Sequence, residues 1–411
     1  MSAAGRLALT YDEEWRNASD AIPLSLSMPL AQQQHADAPV RAFLWGLLPD
    51  NERVLERWAQ TYQISARNPF ALMRHVGEDC AGGAQFVTPE RLGALVAGDG
   101  GVRWMTEDEV AERLHVLRTD PTAWHVHDTG QFSLAGAQAK TALHHDPGTG
   151  RWGEPWGAVP TTHILKPAVA GLDDHDLNEH LCLEAARIVG ILAASSQVAS
   201  FGAERVVIVK RYDRLQTAGA PVIRIHQEDL CQALGVLPTA KYQNDRGPTP
   251  EQIIEILRRS AISSKAAEEN VRRFTDALAF NWIIGGTDAH AKNYSILLAS
   301  SQVRMAPLYD VASSLAYDDM YVPRLRMAMK IGGEYGMEAA SGRHWRRFAT
   351  TNGLDPDETV ARIDGMAART PDAFTAAANN EAVKALRSRL PSTLVERIAA
   401  RVVGCRKRLK S

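Results

Sequence analysis

The spacing of hydrophobic residues changes near residue 226, and this change limits the possible folds more than any other feature of the sequence. Between about 130 and 225, apolar and β-branched runs bounded by turn residues predict strands with one helix among them. From Gln227 onward the apolar residues follow a helical spacing, and only 294–299 indicates a strand. Because strands and helices are segregated along the chain, we predict an α+β fold.

The predicted elements suggest how the chain is divided. The helical part should contain helices over 249–260, 265–284, 355–366, 371–388 and 392–408. A chain of 411 residues exceeds what one hydrophobic core usually holds, so two lobes are expected. We predict a small α+β subdomain over 1–125, a strand-rich part over 126–225 and a helical lobe over 226–411.

Charge and cysteine content exclude several classes of protein. The chain has 46 Lys and Arg residues against 48 Asp and Glu residues, so its bulk charge does not indicate a nucleic-acid or acidic-membrane partner. The four cysteines are far apart and form no C-x-x-C pair, which argues against a zinc ribbon and a disulfide framework. The sequence has neither a signal-peptide core nor an apolar run of about 20 residues. We therefore expect a cytoplasmic protein.

The polar loop over 285–293 carries the most specific chemical signal. Asp288 and Asn293 are five positions apart, between an apolar helical run and a short predicted strand. In a protein-kinase catalytic loop, an Asp accepts the substrate hydroxyl proton and an Asn five positions later binds magnesium. Asp310 ends another short extended segment and would supply a second carboxylate for the metal. The alternative is a polar loop in which Asp288 caps a helix and Asn293 forms a turn.

Three features upstream of this loop favour nucleotide binding. Lys166 ends an extended run, from which its ammonium could reach ATP phosphates, and the next helix offers Glu179, which we favour, or Glu184 as its partner. The small residues of 133–141 would let backbone N–H groups approach phosphate oxygens. Residues 210–214 follow an apolar strand, where a kinase places the connector that binds adenine. The simpler alternatives are a solvated lysine, a tight β-turn and a charged strand end.

Taken together, these motifs resemble the HipA family of bacterial toxin kinases. Their order and spacing agree, and the likeness covers nearly the whole chain, resting on residues 23–30, 47–50, 132–141, 162–166, 210–214, 227–232, 287–293, 308–310 and 327–331. The resemblance implies a two-lobed protein-kinase-like fold that begins with a HipA-type subdomain. It also implies a serine/threonine protein kinase that uses ATP and Mg²⁺.

The resemblance implies a role for each matching residue. Asp288 would be the catalytic base, while Asn293 and Asp310 would bind magnesium. Lys166 would bind phosphate. Ser133 matches the autophosphorylated serine of the family, whose added charge would expel the phosphate loop and switch the kinase off. The other residues expected to contact ATP are Ala135, Gly136, Ala137, Gln138, Ala139 and Lys140 in the phosphate loop, Lys210, Arg211 and Tyr212 in the connector, and His290, Ala291, Lys292 and Tyr309.

The resemblance further implies the toxin of a type II toxin–antitoxin pair. A small HipB-like DNA-binding antitoxin would neutralise the kinase and link it to operator DNA, which would associate it with the nucleoid. The expected substrate is an aminoacyl-tRNA synthetase, in particular glutamyl-tRNA synthetase, whose phosphorylation would inhibit translation and cause growth arrest or persistence. Two other functions stay open: a non-catalytic co-repressor in an antitoxin–DNA complex, and a small-molecule kinase with the same Asp-to-Asn loop.

Two features depart from the family pattern. The chain reaches Tyr11 and Trp15 almost at once, where family members usually carry an additional strand or hairpin. We therefore expect a trimmed N-terminal subdomain and an altered antitoxin contact. Lys210 stands where a glutamate is often found, with little expected effect because the contact there is made by backbone.

Overall fold

The structure divides into two compact units. This computed structural model describes residues 5–124, 132–169, 172–217, 219–299, 302–318, 320 and 324–411. The first unit comprises residues 1–170, 199–238 and 296–302, and the second comprises residues 171–198, 239–295 and 303–411. The boundary expected between 125 and 126 lies outside the described residues, and the division into three segments stays a prediction.

The described residues form the following elements. The helices are α1 (Glu13–Asn17), α2 (Asp37–Leu47), α3 (Glu52–Tyr62), α4 (Pro69–Val76), α5 (Pro89–Val96), α6 (Glu107–Thr119), α7 (His175–Ile188), α8 (Leu230–Ala233), α9 (Pro250–Arg259), α10 (Ser264–Ile284), α11 (Gly342–Thr351), α12 (Pro356–Ala378), α13 (Glu381–Ala385) and α14 (Leu390–Leu409). The strands are β1 (Leu9–Thr10), β2 (Gln34–His35), β3 (Gly100–Trp104), β4 (Thr141–His145), β5 (Trp152–Gly157), β6 (His163–Pro167), β7 (Ser196–Phe201), β8 (Glu204–Lys210), β9 (Arg214–Leu215), β10 (Ile223–Arg224), β11 (His226–Asp229), β12 (Ser295–Ala299), β13 (Gln302–Met305), β14 (Arg326–Ile331) and β15 (Glu334–Gly336).

A six-stranded sheet forms the strand-rich part of the first unit. Its strand order is β3-β5-β4-β6-β8-β7, and β6 pairs antiparallel with both β4 and β8. In this register Lys166 lies opposite Val207, and Thr141 lies opposite Leu165. One face of the sheet packs on α6 and buries Val110, Leu114, Leu143, Leu165, Val206 and Ile208. The sheet therefore fixes the backbone of the predicted strand lysine and of the strand that follows the small-residue run.

Helices α2 to α4 build a second core in the first unit. Asn51 caps α3 by accepting a hydrogen bond from the backbone N–H of Arg53, and Asn68 caps α4 in the same way through Ala71. The apolar faces of these helices bury Phe43, Leu47, Leu48, Val54, Trp58, Leu72 and Met73. This core supports the segments that contact the small-residue run.

Helices dominate the second unit, as predicted. The expected helices at 249–260, 265–284 and 392–408 correspond to α9, α10 and α14. The strand expected at 294–299 corresponds to β12, most of which belongs to the first unit. The separate helices expected at 355–366 and 371–388 are wrong, because α12 continues through Pro371 and ends at Ala378. Although proline removes one helical hydrogen bond, α12 packs against α7, α11 and α14. We attribute the unbroken helix to this tertiary packing.

Among the helices that the structure describes, none combines the length and the apolar character needed to cross a membrane.

Candidate active site

The predicted catalytic loop starts where α10 ends in the second unit. Gly285 closes the helix in the left-handed conformation, with φ of 73°, which costs glycine little. A Cβ atom on Gly286 would come within 2.4 Å of Asn281 Oδ1, so the chain passes too close for a larger residue. The Thr287 and Ser314 hydroxyls are hydrogen-bonded at 2.8 Å. These contacts fix the direction in which the chain enters the loop.

The loop brings Asn293 against the backbone of Asp288. Asn293 Nδ2 donates to the Asp288 carbonyl oxygen at 2.7 Å, and the His290 N–H donates to the same oxygen at 2.8 Å. This hydrogen bond fixes the orientation of the Asn293 amide, whose oxygen is the side-chain atom that could bind a cation. Asn293 is buried, whereas the Asp288 side chain is 67% exposed. An exposed carboxylate on a fixed turn can accept a proton from a hydroxyl on another protein.

A buried histidine lies beside this carboxylate. His290 Nε2 is 3.9 Å from Asp288 Oδ1, and the Tyr242 ring meets the imidazole edge to face at a centroid distance of 4.9 Å. Burial lowers the pKa of His290 to about 4; the Asp288 charge opposes this shift and the Lys241 charge adds to it. The imidazole is therefore neutral at pH 7, and it does not neutralise the charge of Asp288.

Asp310 shares a cavity with Asp288. Its backbone is left-handed, with φ of 55°, a strained conformation that often marks functional sites. The preceding Tyr309 hydroxyl donates to the Lys292 carbonyl oxygen at 2.7 Å, which ties this segment to the catalytic loop. Asp288 and Asp310 both line a cavity of about 170 Å³ within the second unit. Asn293 lines a neighbouring cavity of the second unit. The Asp310 carboxylate and the Asn293 amide oxygen are the kinds of ligand Mg²⁺ prefers, so the chemistry of these two residues fits the metal.

The two acidic residues expected to pair with Lys166 differ in their surroundings. Glu179 is buried in α7 and lines the same cavity in the second unit. Glu184 instead forms an ion pair with Arg187 at 2.8 Å on the helix surface. In the first unit, Lys166 is buried in β6. The surroundings of the two glutamates favour Glu179, and its pairing with Lys166 stays a prediction.

The predicted phosphate loop in the first unit is closed by its own lysine. Lys140 Nζ donates to the Ala135 carbonyl oxygen at 2.6 Å and lies 5.3 Å from the centroid of the Trp124 ring. Gly136 has a φ of 102°, and its carbonyl oxygen accepts a hydrogen bond from the Asp50 N–H at 3.0 Å. Within the turn, Ala137 is exposed, and Gln138 and Ala139 are half-buried.

Ser133 is fully buried in this conformation. Its hydroxyl donates to the Leu47 carbonyl oxygen at 2.8 Å, and its backbone N–H donates to the Asp79 carbonyl oxygen at 3.0 Å. Both partners belong to the N-terminal part of the first unit. A phosphoryl group could not be added to this hydroxyl unless the segment left its place.

The three predicted connector residues lie in different environments. Lys210 is exposed at the end of β8. The Arg211 guanidinium is buried and forms two hydrogen bonds to Asp213, at 3.0 and 2.8 Å. The Tyr212 hydroxyl donates to Gln227 Oε1. The Arg211 side chain is thus committed to a buried ion cluster, and a contact between these residues and adenine stays a prediction.

Comparison with known proteins assigns the family. Residues 132–374 match the family domain described as the HipA-like C-terminal domain, and residues 1–87 match the HipA N-terminal domain. The chain belongs to the HipA-like family of serine/threonine kinase toxins. Kinases use ATP as their phosphoryl donor, so ATP use follows from this membership.

Individual HipA-like relatives match over most of the chain. A putative kinase of Sinorhizobium fredii, Y4mE, is 35% identical over 376 residues, which cover 90% of this chain and 86% of the relative. The serine/threonine-protein kinase toxin HipA of Shewanella oneidensis is 29% identical over 384 residues, 91% of this chain and 84% of the relative. A solved complex of Shewanella oneidensis HipA, HipB and operator DNA matches with a TM-score of 0.80 and 26% identity, over 99% of this chain and 96% of that chain.

These matches confirm three predictions. The resemblance to the HipA family is correct, the α+β, two-lobed protein-kinase-like fold is correct, and the enzyme class is that of a serine/threonine protein kinase. The roles of the individual site residues are not decided by the matches.

Two features of the HipA-like chain could not be predicted from its sequence. The first is a buried ion cluster in the first unit, formed by Asp79, Arg211, Asp213, Arg214 and Arg224. Alternating charges after an apolar strand were the available signal. The second is Tyr242, whose hydroxyl donates to Asp288 Oδ1 from a loop 46 residues earlier. No spacing rule connects two residues so far apart in the chain.

Proposed function

We propose that this protein is a Mg²⁺- and ATP-dependent serine/threonine protein kinase in which Asp288 is the catalytic base. The observation that carries the proposal is the cavity shared by Asp288 and Asp310, with Asn293 fixed to the Asp288 backbone. Asp288 accepts the proton of the substrate hydroxyl while the oxygen of that hydroxyl bonds to the γ-phosphorus and ADP leaves. Asn293 and Asp310 would hold Mg²⁺, which would supply positive charge to neutralise the phosphates.

The residues of the first unit bind the nucleotide in this proposal. Backbone N–H groups of 135–140 bind the phosphates, and Lys166 adds a positive charge. For the loop to do this, Lys140 must release the Ala135 carbonyl oxygen that it now contacts. The backbones of Lys210 and Tyr212 hold adenine, while His290, Ala291, Lys292 and Tyr309 shape the metal and phosphate site in the second unit.

Phosphorylation of Ser133 would limit the kinase from within. The phosphate carries about two negative charges at neutral pH and cannot be accommodated beside a carbonyl oxygen in a fully buried position. The segment that begins at Ser133 would therefore stay displaced after transfer, and the phosphate loop that follows it would lose its support. Burial of the unmodified hydroxyl supports this switch.

The biological role we propose is that of a toxin neutralised by a HipB-like antitoxin. The solved complex of the Shewanella oneidensis relative contains HipA, HipB and operator DNA, which supports such a partner and an association with DNA. That the DNA contact is made mainly through the antitoxin is part of the proposal. The proposed substrate is a cytosolic aminoacyl-tRNA synthetase, and glutamyl-tRNA synthetase is the preferred candidate. Its phosphorylation would inhibit translation and cause growth arrest or persistence.

Phosphate transfer to glutamyl-tRNA synthetase tests this function. The purified chain is incubated with γ-labelled ATP, Mg²⁺, the synthetase and its tRNA. We expect labelled synthetase with the wild-type chain and at least a hundredfold less with Asp288→Asn, because loss of a general base typically removes 10²–10⁴-fold of rate.

Asp357→Asn is the matched control, because its carboxylate is 87% exposed in the second unit and contacts only Arg346 in the described structure. It should label the synthetase as the wild type does. Equal labelling by the wild type and Asp288→Asn would contradict the role of Asp288. If the kinase becomes labelled but the synthetase does not, the proposed substrate is contradicted and the proposed phosphoryl transfer stands.

A further inference from the structure

A tyrosine outside the catalytic loop contacts the proposed base directly. The Tyr242 hydroxyl donates to Asp288 Oδ1. The Tyr242 ring packs edge to face with the His290 ring, at a centroid distance of 4.9 Å and an interplanar angle of 84°. Within the described residues, Asp288 Oδ2 accepts no hydrogen bond. The contact therefore distinguishes the two oxygens of an otherwise symmetrical carboxylate.

The loop that carries Tyr242 is braced on both sides. The Lys241 carbonyl oxygen accepts a hydrogen bond from the Ala291 N–H at 3.3 Å, inside the catalytic loop. Gln243 Oε1 accepts from the Lys330 N–H at 2.7 Å, at the other side. Tyr242 thus sits between two residues whose polar groups are each bonded to a different segment of the second unit.

The turn after Tyr242 is also closed tightly. The Tyr242 carbonyl oxygen accepts hydrogen bonds from the N–H groups of Asp245 and Gly247, both at 2.9 Å. A Cβ atom on Gly247 would lie 2.2 Å from the Ala240 carbonyl oxygen and 2.5 Å from that of Tyr242. A loop packed this closely holds the tyrosine hydroxyl in one place at little entropic cost when substrate binds.

We propose that Tyr242 is a positioning residue for phosphoryl transfer, which holds Asp288 by Oδ1 so that Oδ2 faces the substrate hydroxyl. The terminal torsion of an aspartate is broad, so a carboxylate without such a donor samples orientations that cannot accept the proton. This inference rests on the proposed role of Asp288 as the base.

Among the described residues, the Tyr242 hydroxyl is the side-chain group that donates a hydrogen bond to Asp288 Oδ1. His290 Nε2 also lies near Oδ1, but its distance of 3.9 Å is too long for a hydrogen bond. The charges of Lys241, Lys292 and Asp310 also act on the His290 ring, and the substitution of Tyr242 would not change them. Removing the hydroxyl alone leaves all of these groups in place.

The test compares Tyr242→Phe with a matched change elsewhere in the second unit. Tyr335→Phe is the control, because the Tyr335 ring lies near the cationic groups of Arg326 and Lys330, about 5.1 and 5.0 Å away. Its hydroxyl forms no hydrogen bond with the described residues. The wild type, both variants and Asp288→Asn are assayed for Mg²⁺-dependent ADP release and phosphate incorporation over a range of ATP concentrations.

We expect kcat of Tyr242→Phe to fall about tenfold, the effect of one hydrogen bond to a charged group, with the KM for ATP within about twofold. Tyr335→Phe should match the wild type in both quantities. A purely structural role for the tyrosine would disturb ATP binding as well, so the KM for ATP would rise together with the fall in kcat.

The outcomes separate this inference from the proposed function. If Asp288→Asn is inactive but Tyr242→Phe keeps the wild-type kcat, or loses kcat only together with a raised KM for ATP, the positioning role is overturned and the base assignment stands. A faster Tyr242→Phe enzyme would also overturn it, because the hydroxyl would then block the base. An active Asp288→Asn, or a wild type without Mg²⁺-dependent ADP release, would overturn the proposed function and this inference with it.

Discussion

At the scale of single residues, the ion cluster of the first unit shows how buried charges are stabilised in this protein. Arg214 donates to Asp79 at 2.9 Å and to Asp213 at 2.8 Å, and Arg211 pairs with both carboxylates. The Arg211, Arg214 and Asp213 side chains are at most 3% exposed. Removing one member would leave the remaining charges buried and uncompensated, which costs more than the pair itself contributes.

Asp79→Ala should therefore lower the free energy of unfolding by about 3–5 kcal/mol, the usual effect of breaking a buried ion pair. The matched control in the same unit is Asp99→Ala, because the Asp99 side chain is exposed and accepts no hydrogen bond within the described residues. Its effect should stay within about 0.5 kcal/mol. Urea unfolding of the full-length variants measures both. Equal effects of the two substitutions would contradict the importance of the cluster.

The same carboxylates should make stability depend on acid. Burial raises the pKa of Asp79 and of Asp213, but the charges of Arg211 and Arg214 outweigh it, so both pKa values lie below normal. Such groups stabilise the fold above the unfolded pKa of about 3.9, and this stabilisation is lost as pH falls through the folded pKa. Melting temperature measured against pH should fall below about pH 4 in the wild type. The fall should be shallower in Asp79→Asn; an identical slope would contradict this source of acid sensitivity.

At the scale of elements, the end of α10 determines where the catalytic loop starts. Gly285 has a left-handed φ of 73°, and a Cβ atom there would lie 3.1 Å from Leu315 Cγ. Gly365 lies inside α12, where an added Cβ would contact only the end of the Arg369 side chain, at 3.7 Å. Substituting Gly285 therefore tests the need for a left-handed backbone, whereas substituting Gly365 tests helix propensity alone.

Gly285→Ala should destabilise the chain by about 1–2 kcal/mol, because alanine is strained in the left-handed region. Gly365→Ala should stabilise it by up to about 1 kcal/mol, since alanine is the better helix former. Thermal unfolding monitored by circular dichroism gives both values. Stabilisation by Gly285→Ala would show that the loop does not depend on this conformation.

The sequence patterns predicted where helices occur better than whether neighbouring helical segments join into one helix. The end of α10 predicted at residue 284 is correct, and Gly285 follows it as the helix cap. The break expected before Pro371 is absent, because packing of α12 against its neighbours outweighs the hydrogen bond that proline removes. Local sequence patterns indicate helix propensity and residues that tend to end a helix, but they do not show which distant segments pack against it.

The candidate site shows the same limit. Asp288 and Asn293 could be predicted because both lie in one loop, and Asp310 because it follows a short apolar run that the sequence predicts to be extended. Tyr242 could not be predicted, since it reaches Asp288 from a separate loop braced by Ala291 and by Lys330. Residues close in sequence leave a recognisable spacing, but residues brought together by folding do not.

At the scale of the whole molecule, the two matched family domains do not coincide with the two compact units. Asp79 lies in the range matched by the HipA N-terminal domain, and Arg211 lies in the range matched by the HipA-like C-terminal domain. Both belong to the first unit and are joined by an ion pair of 3.3 Å. The N-terminal domain is therefore structurally part of the unit that contains the proposed phosphate loop.

The central claim is that the whole chain transfers phosphate from ATP by means of Asp288, and intact-protein mass spectrometry tests it most directly. Dephosphorylated wild type and Asp288→Ala are incubated with ATP, with and without Mg²⁺, and any modified residue is located by peptide mapping. We predict one added phosphate on Ser133 in the wild type with Mg²⁺, and none in Asp288→Ala. Phosphate gained by Asp288→Ala, or none gained by a wild type shown to bind ATP, would contradict the account.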